Sequence, residues 1–156
     1  MHAVRKDQGI VVEIAKEFKN IDVCLTRLKK LVKAVCHRFE LSKATVSIAI
    51  VDDARIRKVN KQFLNLDSTT DCLSFDLSDD NMEAPKSFEL VVNAEMAIKE
   101  AKLRAHSSEA ELALYITHGL LHNLGFDDSR RDHIKKMHET EDEILQQQGY
   151  GLVYSL

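Results

Sequence analysis

Two histidines four residues apart, His118 and His122, precede a glycine, Gly125, and two adjacent aspartates, Asp127 and Asp128, in the stretch HGLLHNLGFDD. On a helix, residues four apart lie about 40° from one another around the axis, one turn above the other. Both imidazoles can therefore reach one ion at about 2.0–2.1 Å. Gly125 can leave the helix in a left-handed conformation and turn the chain back, delivering Asp127 or Asp128 to the same point. Two imidazoles and one carboxylate leave a fourth tetrahedral position for water, the open arrangement of a catalytic rather than a structural zinc site. His133 and His138, further along, are alternative donors, though their ordinary reading is as packing or surface histidines. Asp127 can instead orient a ligand histidine through its ring N–H or, like Ser129, cap the helix that follows.

A metalloprotease of the HExxH type carries a glutamate directly after its first histidine as general base. This chain has Gly119 there, so a protease-like hydrolysis lacks its base. The glycine either removes bulk beside the site, admitting a backbone or a large polyanion, or lets another element pack closely on the helix.

The elements that must position these groups follow from periodicity. GIVVEIA at 9–15 and TVSIAIV at 45–51 read as β-branched strands, and CLSFDL at 72–77 and FELVVNA at 88–94 as two more, joined as a long hairpin through a segment holding the single proline, Pro85. Between the first two strands, Leu25, Leu28, Val32, Val35 and Phe39 collect on one stripe of a helix from Ile21 to Phe39. Arg27, Lys30, Lys33 and His37 gather on another side, a face that is either solvated or in contact with RNA phosphates. Asp52 or Asp53 caps a second helix running to Phe63. After Asn93 the chain is helical over Glu95–His106, Ser108–Leu124 and Ser129–Gln148, with Gly125 and Gly149 as stops. The expected fold is a single α+β domain, with a mixed sheet of about four strands, about five helices and the metal site on a late helix.

At 156 residues and a net charge of −3, the chain is one domain's worth without a general coat of positive charge, so a nucleic-acid partner must be held by a local basic surface. Cys24, Cys36 and Cys72 cannot all pair. The first two, placed on one helix, are about 18 Å apart, too far for a disulfide. The odd count without CxxC spacing indicates reduced thiols in a cytoplasmic protein. VSIAIV is far too short to span a bilayer, and the N-terminal stretch has no leader-like apolar run.

HGLLHNLGFDD resembles the HGxLHLxGxDH motif of the YbeY family, single-domain metal-dependent endoribonucleases of ribosomal RNA maturation. NKQFLNLDSTTDCLSF at 60–75 is similar to the family's N-x-x-[YF]-R-x-x-D-x-P-T-D-x-L-S-F segment. ELVVNAEMA at 89–97 stands where the family has a G-D-I-V-I strand and its following helix. The resemblance covers essentially the whole chain.

It implies that His118 and His122 are the first two zinc ligands of a single ion and that position 128, a histidine in the family, supplies the third through Asp128. A carboxylate is a competent zinc ligand at about 2.0–2.2 Å, but its charge lowers that of the ion and acidifies bound water less. The family's phosphate-binding arginine falls on Leu64, which can donate nothing to a phosphate, and its proline on Thr69. Phosphate contacts would then pass to Lys61, Arg55 or Lys58, with Lys30 and Lys33 as further RNA-binding candidates. Asp67, Thr70, Asp71 and Ser74 keep the family pattern, as loop-shaping or catalytic groups, and no residue stands out as general base.

The implied function is zinc-dependent cleavage of single-stranded RNA in ribosomal RNA maturation and ribosome quality control, with RNA or a ribosomal subunit as partner and no membrane. Two other functions are compatible with the same residues. One is a cleavage-deficient RNA-binding ribosome assembly factor, distinguished by RNA retention without cleavage in metal-replete protein. The other is a metalloprotease-like hydrolase, distinguished by peptide turnover.

Overall fold

Every second residue of ATVSIAIV, from Ala44 to Ile50, is buried, and this period-two pattern makes the segment the inner strand β2 (Ala44–Val51). In this computed structural model, which describes residues 9–81, 83–151 and 153, β1 (Ile10–Lys16) pairs in parallel with one edge of β2. On the other edge lies β4 (Lys86–Asn93), also parallel, and β3 (Cys72–Asp76) runs antiparallel to β4. The sheet order is β1-β2-β4-β3. Parallel neighbours need a crossover, which α1 (Leu25–Arg38) supplies between β1 and β2. The β3–β4 pair is the expected hairpin, in register from Cys72 opposite Val92 to Asp76 opposite Phe88.

Side chains just outside the helices fix where they start. Asp52 accepts the Arg55 N–H at the head of α2 (Asp53–Leu64), Asn93 that of Met96 in α3 (Ala94–Arg104), and Ser107 that of Ala110 in α4 (Ser108–Asn123). Such caps satisfy N–H groups that have no partner within the helix. The fifth helix is α5 (Arg131–Gln147). The architecture is the expected α+β domain with a four-stranded mixed sheet and five helices.

Three helix ends differ from the periodicity reading by two residues or more, each for an identifiable reason. α1 starts at Leu25 rather than Ile21, because the buried carboxylate of Glu109 accepts the Cys24 N–H and holds Cys24 extended. Cys24 and Cys36 are thus not both helical, and the cysteines are free. α3 stops before Ala105, which turns left-handed at φ 58°. α5 begins at Arg131 rather than Ser129, because Asp127 Oδ1 accepts the Ser129 N–H in a turn of its own.

α4 is buried on almost every side, packed on β3 and β4 and flanked by α1, α3 and α5. Leu112, Ile116 and Leu120 are fully buried with Leu28, Val32 and Val35 of α1 and Met137 and Leu145 of α5. Each such side chain contributes about 1.5–3 kcal/mol relative to leaving it exposed. Gly119 makes the close approach possible: a Cβ there would lie 2.7 Å from Cys72 Sγ and 3.0 Å from Leu90 Cδ2. Of its two readings, the packing one holds, since the glycine faces the sheet. Among the described residues no helix is long and apolar enough to cross a membrane.

Candidate metal centre

The rigid, buried α4 carries His118 and His122 at its C-terminal end, where both are only partly buried. Their rings meet edge to face, with centroids 4.5 Å apart, and the two Nε2 atoms are 3.0 Å from one another. The chain then folds back as the glycine demands. Gly125 takes φ 99°, and the Phe126 N–H bonds to Leu121 C=O at 2.9 Å, a left-handed helix ending. This brings Asp128 Oδ2 to 3.9 Å from His122 Nε2. One ligating atom from each of His118, His122 and Asp128 lies within 4.8 Å of the others.

The other ring nitrogens decide what the facing ones can be. His122 Nδ1 lies 3.1 Å from the carbonyl oxygen of Phe126, which only accepts, so that nitrogen carries the proton. His118 Nδ1 lies 2.7 Å from Oε2 of Glu141, a carboxylate of zero exposure, and donates to it. When both rings are neutral, their Nε2 atoms, 3.0 Å apart, carry the lone pairs and can share one cation. Two nitrogens on one tetrahedral zinc would be separated by about 3.3 Å, so the histidine pair needs little adjustment. Asp128, 60% exposed, is free to swing the remaining distance. The donor set fits a divalent cation with coordination positions left for water.

The electrostatics agree. Burial works against a charged His118, but the hydrogen bond and negative charge of Glu141, with the charges of Asp71 and Asp128, outweigh it and raise the pKa above the ordinary histidine value. The position favours a positive species, whether proton or metal.

The other candidate donors are engaged elsewhere. Asp127 Oδ1 accepts from the Ser129 backbone and hydroxyl and from His133 Nδ1, the last at 2.7 Å, so Asp127 and His133 hold each other rather than an ion. Asp127 shapes the turn and orients neither His118 nor His122. His138 Nδ1 bonds the second oxygen of Glu141 at 2.8 Å. Glu141 is the residue that motif reading misses, since it lies 23 positions beyond His118. Its trace in the sequence is an acidic residue on the buried stripe of α5, in line with Met137 and Ile144.

The polar loop between α2 and β3 is shaped by Asp53 and Asn93. The Thr69 hydroxyl donates to Asp53 Oδ1, and Asn93 Nδ2 reaches the same oxygen at 2.9 Å and the Thr70 carbonyl at 3.2 Å. The bond from Thr69, then those from Arg57 and Asn93, hold the Asp53 carboxyl down at about 2. Thr69 thus fixes the loop by hydrogen bonding. Leu64 is 49% exposed, and Lys61 on α2 and Lys30 on α1 are exposed while Lys33 is half-buried.

A family sequence model described as Endoribonuclease YbeY matches residues 13–149. An endoribonuclease YbeY of Anaeromyxobacter is 31% identical over 140 residues, spanning 90% of this chain and 73% of that relative. One from Desulfitobacterium hafniense is 33% identical over 127 residues, spanning 76% of this chain and 81% of that relative. The solution structure of TM1509 from Thermotoga maritima shares the fold, with a TM-score of 0.57 at 22% identity over 88% of this chain and 90% of that one. From the matched span, which takes in every strand but the start of β1 and all five helices, the chain belongs to the YbeY family of endoribonucleases.

Proposed function

We propose that the protein is a zinc-dependent endoribonuclease that cleaves single-stranded RNA in ribosomal RNA maturation and ribosome quality control in the cytoplasm. The observation that carries this reading is the pair of Nε2 atoms of His118 and His122 facing one another at 3.0 Å, with Asp128 beside them. Bound there, zinc would acidify a water and stabilise charge developing on the phosphate. His118 and His122 bind, Glu141 and the Phe126 carbonyl fix their tautomers and ring planes, and Asp128 closes the third side. With leucine at 64, the phosphate backbone falls to Lys61 and to the α1 lysines Lys30 and Lys33.

The test is zinc content in protein purified without a histidine tag, together with cleavage of single-stranded RNA and of a small-subunit ribosomal RNA precursor. Stoichiometric zinc and cleavage that His122→Ala abolishes support the reading; zinc-loaded protein that cleaves neither RNA overturns it. The exposed Leu64 and the carboxylate at 128 favour one second reading, an RNA-binding ribosome assembly factor without cleavage, which would retain RNA intact in the same assay. A protease-like hydrolase finds no support at Gly119, which packs against Cys72 and Leu90.

A further inference from the structure

Behind His118, between α3, α4 and α5, lies a cavity of about 310 Å³, at the small end of the range that holds organic ligands. His118 forms one of its walls, so it adjoins the candidate metal centre. Its charge is unlike that expected of a phosphate site. Asp71, Glu100, Glu111 and Glu141 line it against a single arginine, Arg104, whose guanidinium already lies 3.7 Å from Glu100 and 3.5 Å from Glu111. A phosphate would be repelled.

A metal ion does not fit either. Among the described residues only the His118–His122–Asp128 group brings three ligating atoms close enough to share an ion. The carboxylates of this cavity are too spread out to do so. What remains is a neutral or cationic organic group that offers N–H donors and has apolar faces, to lie against Met96, Leu114 and Tyr115.

A second observation points to a missing donor. Glu111 is 1% exposed; its Oε1 faces His106 Nε2 at 2.7 Å, while its buried Oε2 has no partner in full hydrogen-bond geometry, the Tyr115 hydroxyl only approaching the carboxylate. Buried acceptors are normally satisfied, and an orphan calls for an explanation. The terminal torsion of a glutamate is soft, so this oxygen can turn toward the cavity that Glu111 lines. Burial, then the charge of Glu111 and the hydroxyl's approach to its carboxylate, push Tyr115 well above its ordinary pKa and keep it a donor that faces Glu111 across the cavity wall.

We propose that this cavity receives the base of a nucleotide next to the phosphate held at His118, His122 and Asp128, and that it selects bases with an exocyclic amino group over uracil. The inference rests on RNA being the substrate. The amino groups of cytosine, adenine and guanine donate N–H bonds to a carboxylate, whereas uracil offers carbonyl oxygens where they carry an amino group and would set lone pairs against Glu111. The Glu111 carboxylate reads the amino group, and Tyr115, Met96 and Leu114 enclose the ring.

The test uses zinc-loaded full-length protein and the nucleosides cytidine and uridine, which carry no phosphate to pull on the metal. Binding is followed by NMR at the Tyr115 and His138 rings and the Met96 methyl. Cytidine should bind about 10-fold tighter than uridine and shift these resonances. Glu111→Gln keeps the shape and one oxygen for His106 but places an amide donor toward the cavity, so it should erase or reverse the preference. If circular dichroism shows that variant unfolded, Met96→Phe, which fills the cavity, should abolish the cytidine response with zinc content unchanged. Equal affinities, no shifts, or shifts confined to other residues overturn the proposal. Short single strands separate it from the RNA reading. If UUCUU and UUUUU both bind equally while the nucleosides are not discriminated, the base pocket falls and RNA binding stands. If neither strand binds while cytidine is still preferred, RNA as substrate falls and the pocket stands.

Discussion

Replacing Glu141 by glutamine removes one charge from beneath the candidate metal centre while leaving the volume of the site unchanged. The wild-type carboxylate, with no exposure to solvent, accepts from His118 Nδ1 at 2.7 Å and from His138 Nδ1 at 2.8 Å. Glutamine offers one oxygen and one amide, so one of the two imidazoles must face a donor. If the amide faces His118, the ring has to accept at Nδ1, its proton moves to Nε2, and the ligating lone pair is lost. If the oxygen faces His118, the tautomer survives but the charge that makes the imidazole a stronger donor is gone. Outer partners of metal-binding histidines contribute about 10- to 100-fold in affinity, or about 1.4–2.7 kcal/mol. Glu141→Gln is expected near the lower figure. Glu141→Ala, which strips both histidines of their acceptor and opens a cavity, is expected near the upper one, with about 2–4 kcal/mol of folding stability lost as well. Competition against a chromophoric chelator gives the affinities and thermal unfolding the stabilities. His138→Ala is the control, because it leaves the bond from His118 Nδ1 to Glu141 in place and should change metal affinity little. Wild-type affinity in Glu141→Gln, or an equal loss in His138→Ala, would refute the orienting role.

Four further outcomes are expected. Asp128→Ala should lose metal and Asp127→Ala should lose less, while Asp128→His should keep it and, with a neutral third donor, move the metal-dependent cleavage profile to lower pH; equal metal affinities in the two alanine variants would remove Asp128 from the site. Joint neutralisation of Lys30 and Lys33 should weaken RNA binding and flatten its salt dependence, and an unchanged salt slope would return this face of α1 to plain solvent exposure. Gly119→Ala should destabilise by about 1–3 kcal/mol, because its methyl group meets Cys72 and Leu90; a neutral effect in thermal unfolding would contradict the close packing of α4 on the sheet. The Asp53 carboxyl is lowered from an ordinary 3.8 to about 2 in the folded protein, so its contribution to stability is present above the higher value and lost as pH falls toward the lower one. Asp53→Asn should flatten that acid limb of the unfolding curve, and an identical limb in the variant would show that other carboxylates control it.

The strands and the buried helix stripes were legible because their signals are local: alternation in TVSIAIV, and the spacing of Leu28, Val32 and Val35. The helix starts with side-chain caps were legible for the same reason. The start of α1 was not, since a carboxylate on α4, Glu109, fixes it from 85 residues away. The His118, His122 and Gly125 arrangement could be read from spacing, because one helix turn and one left-handed residue set it almost entirely. Which aspartate turns inward could not be settled by spacing alone. That choice depends on Asp127 being occupied by Ser129 and His133, a pairing made only once α5 is in place. Glu141 was hidden for a similar reason, being brought to His118 by helix packing rather than by any motif. The two possible roles of Gly119 were equally open until β3 and β4 were seen against it.

The most direct measurement is the zinc content of the untagged protein beside that of His118→Ala and His122→Ala, each shown folded by circular dichroism. One zinc per chain in the wild type, and loss of most of it in either variant, is the result expected from two imidazoles that supply two of three protein donors. Full occupancy in either folded variant, or no zinc bound by the wild type when it is supplied in excess, would contradict the metal centre and the nuclease chemistry built on it.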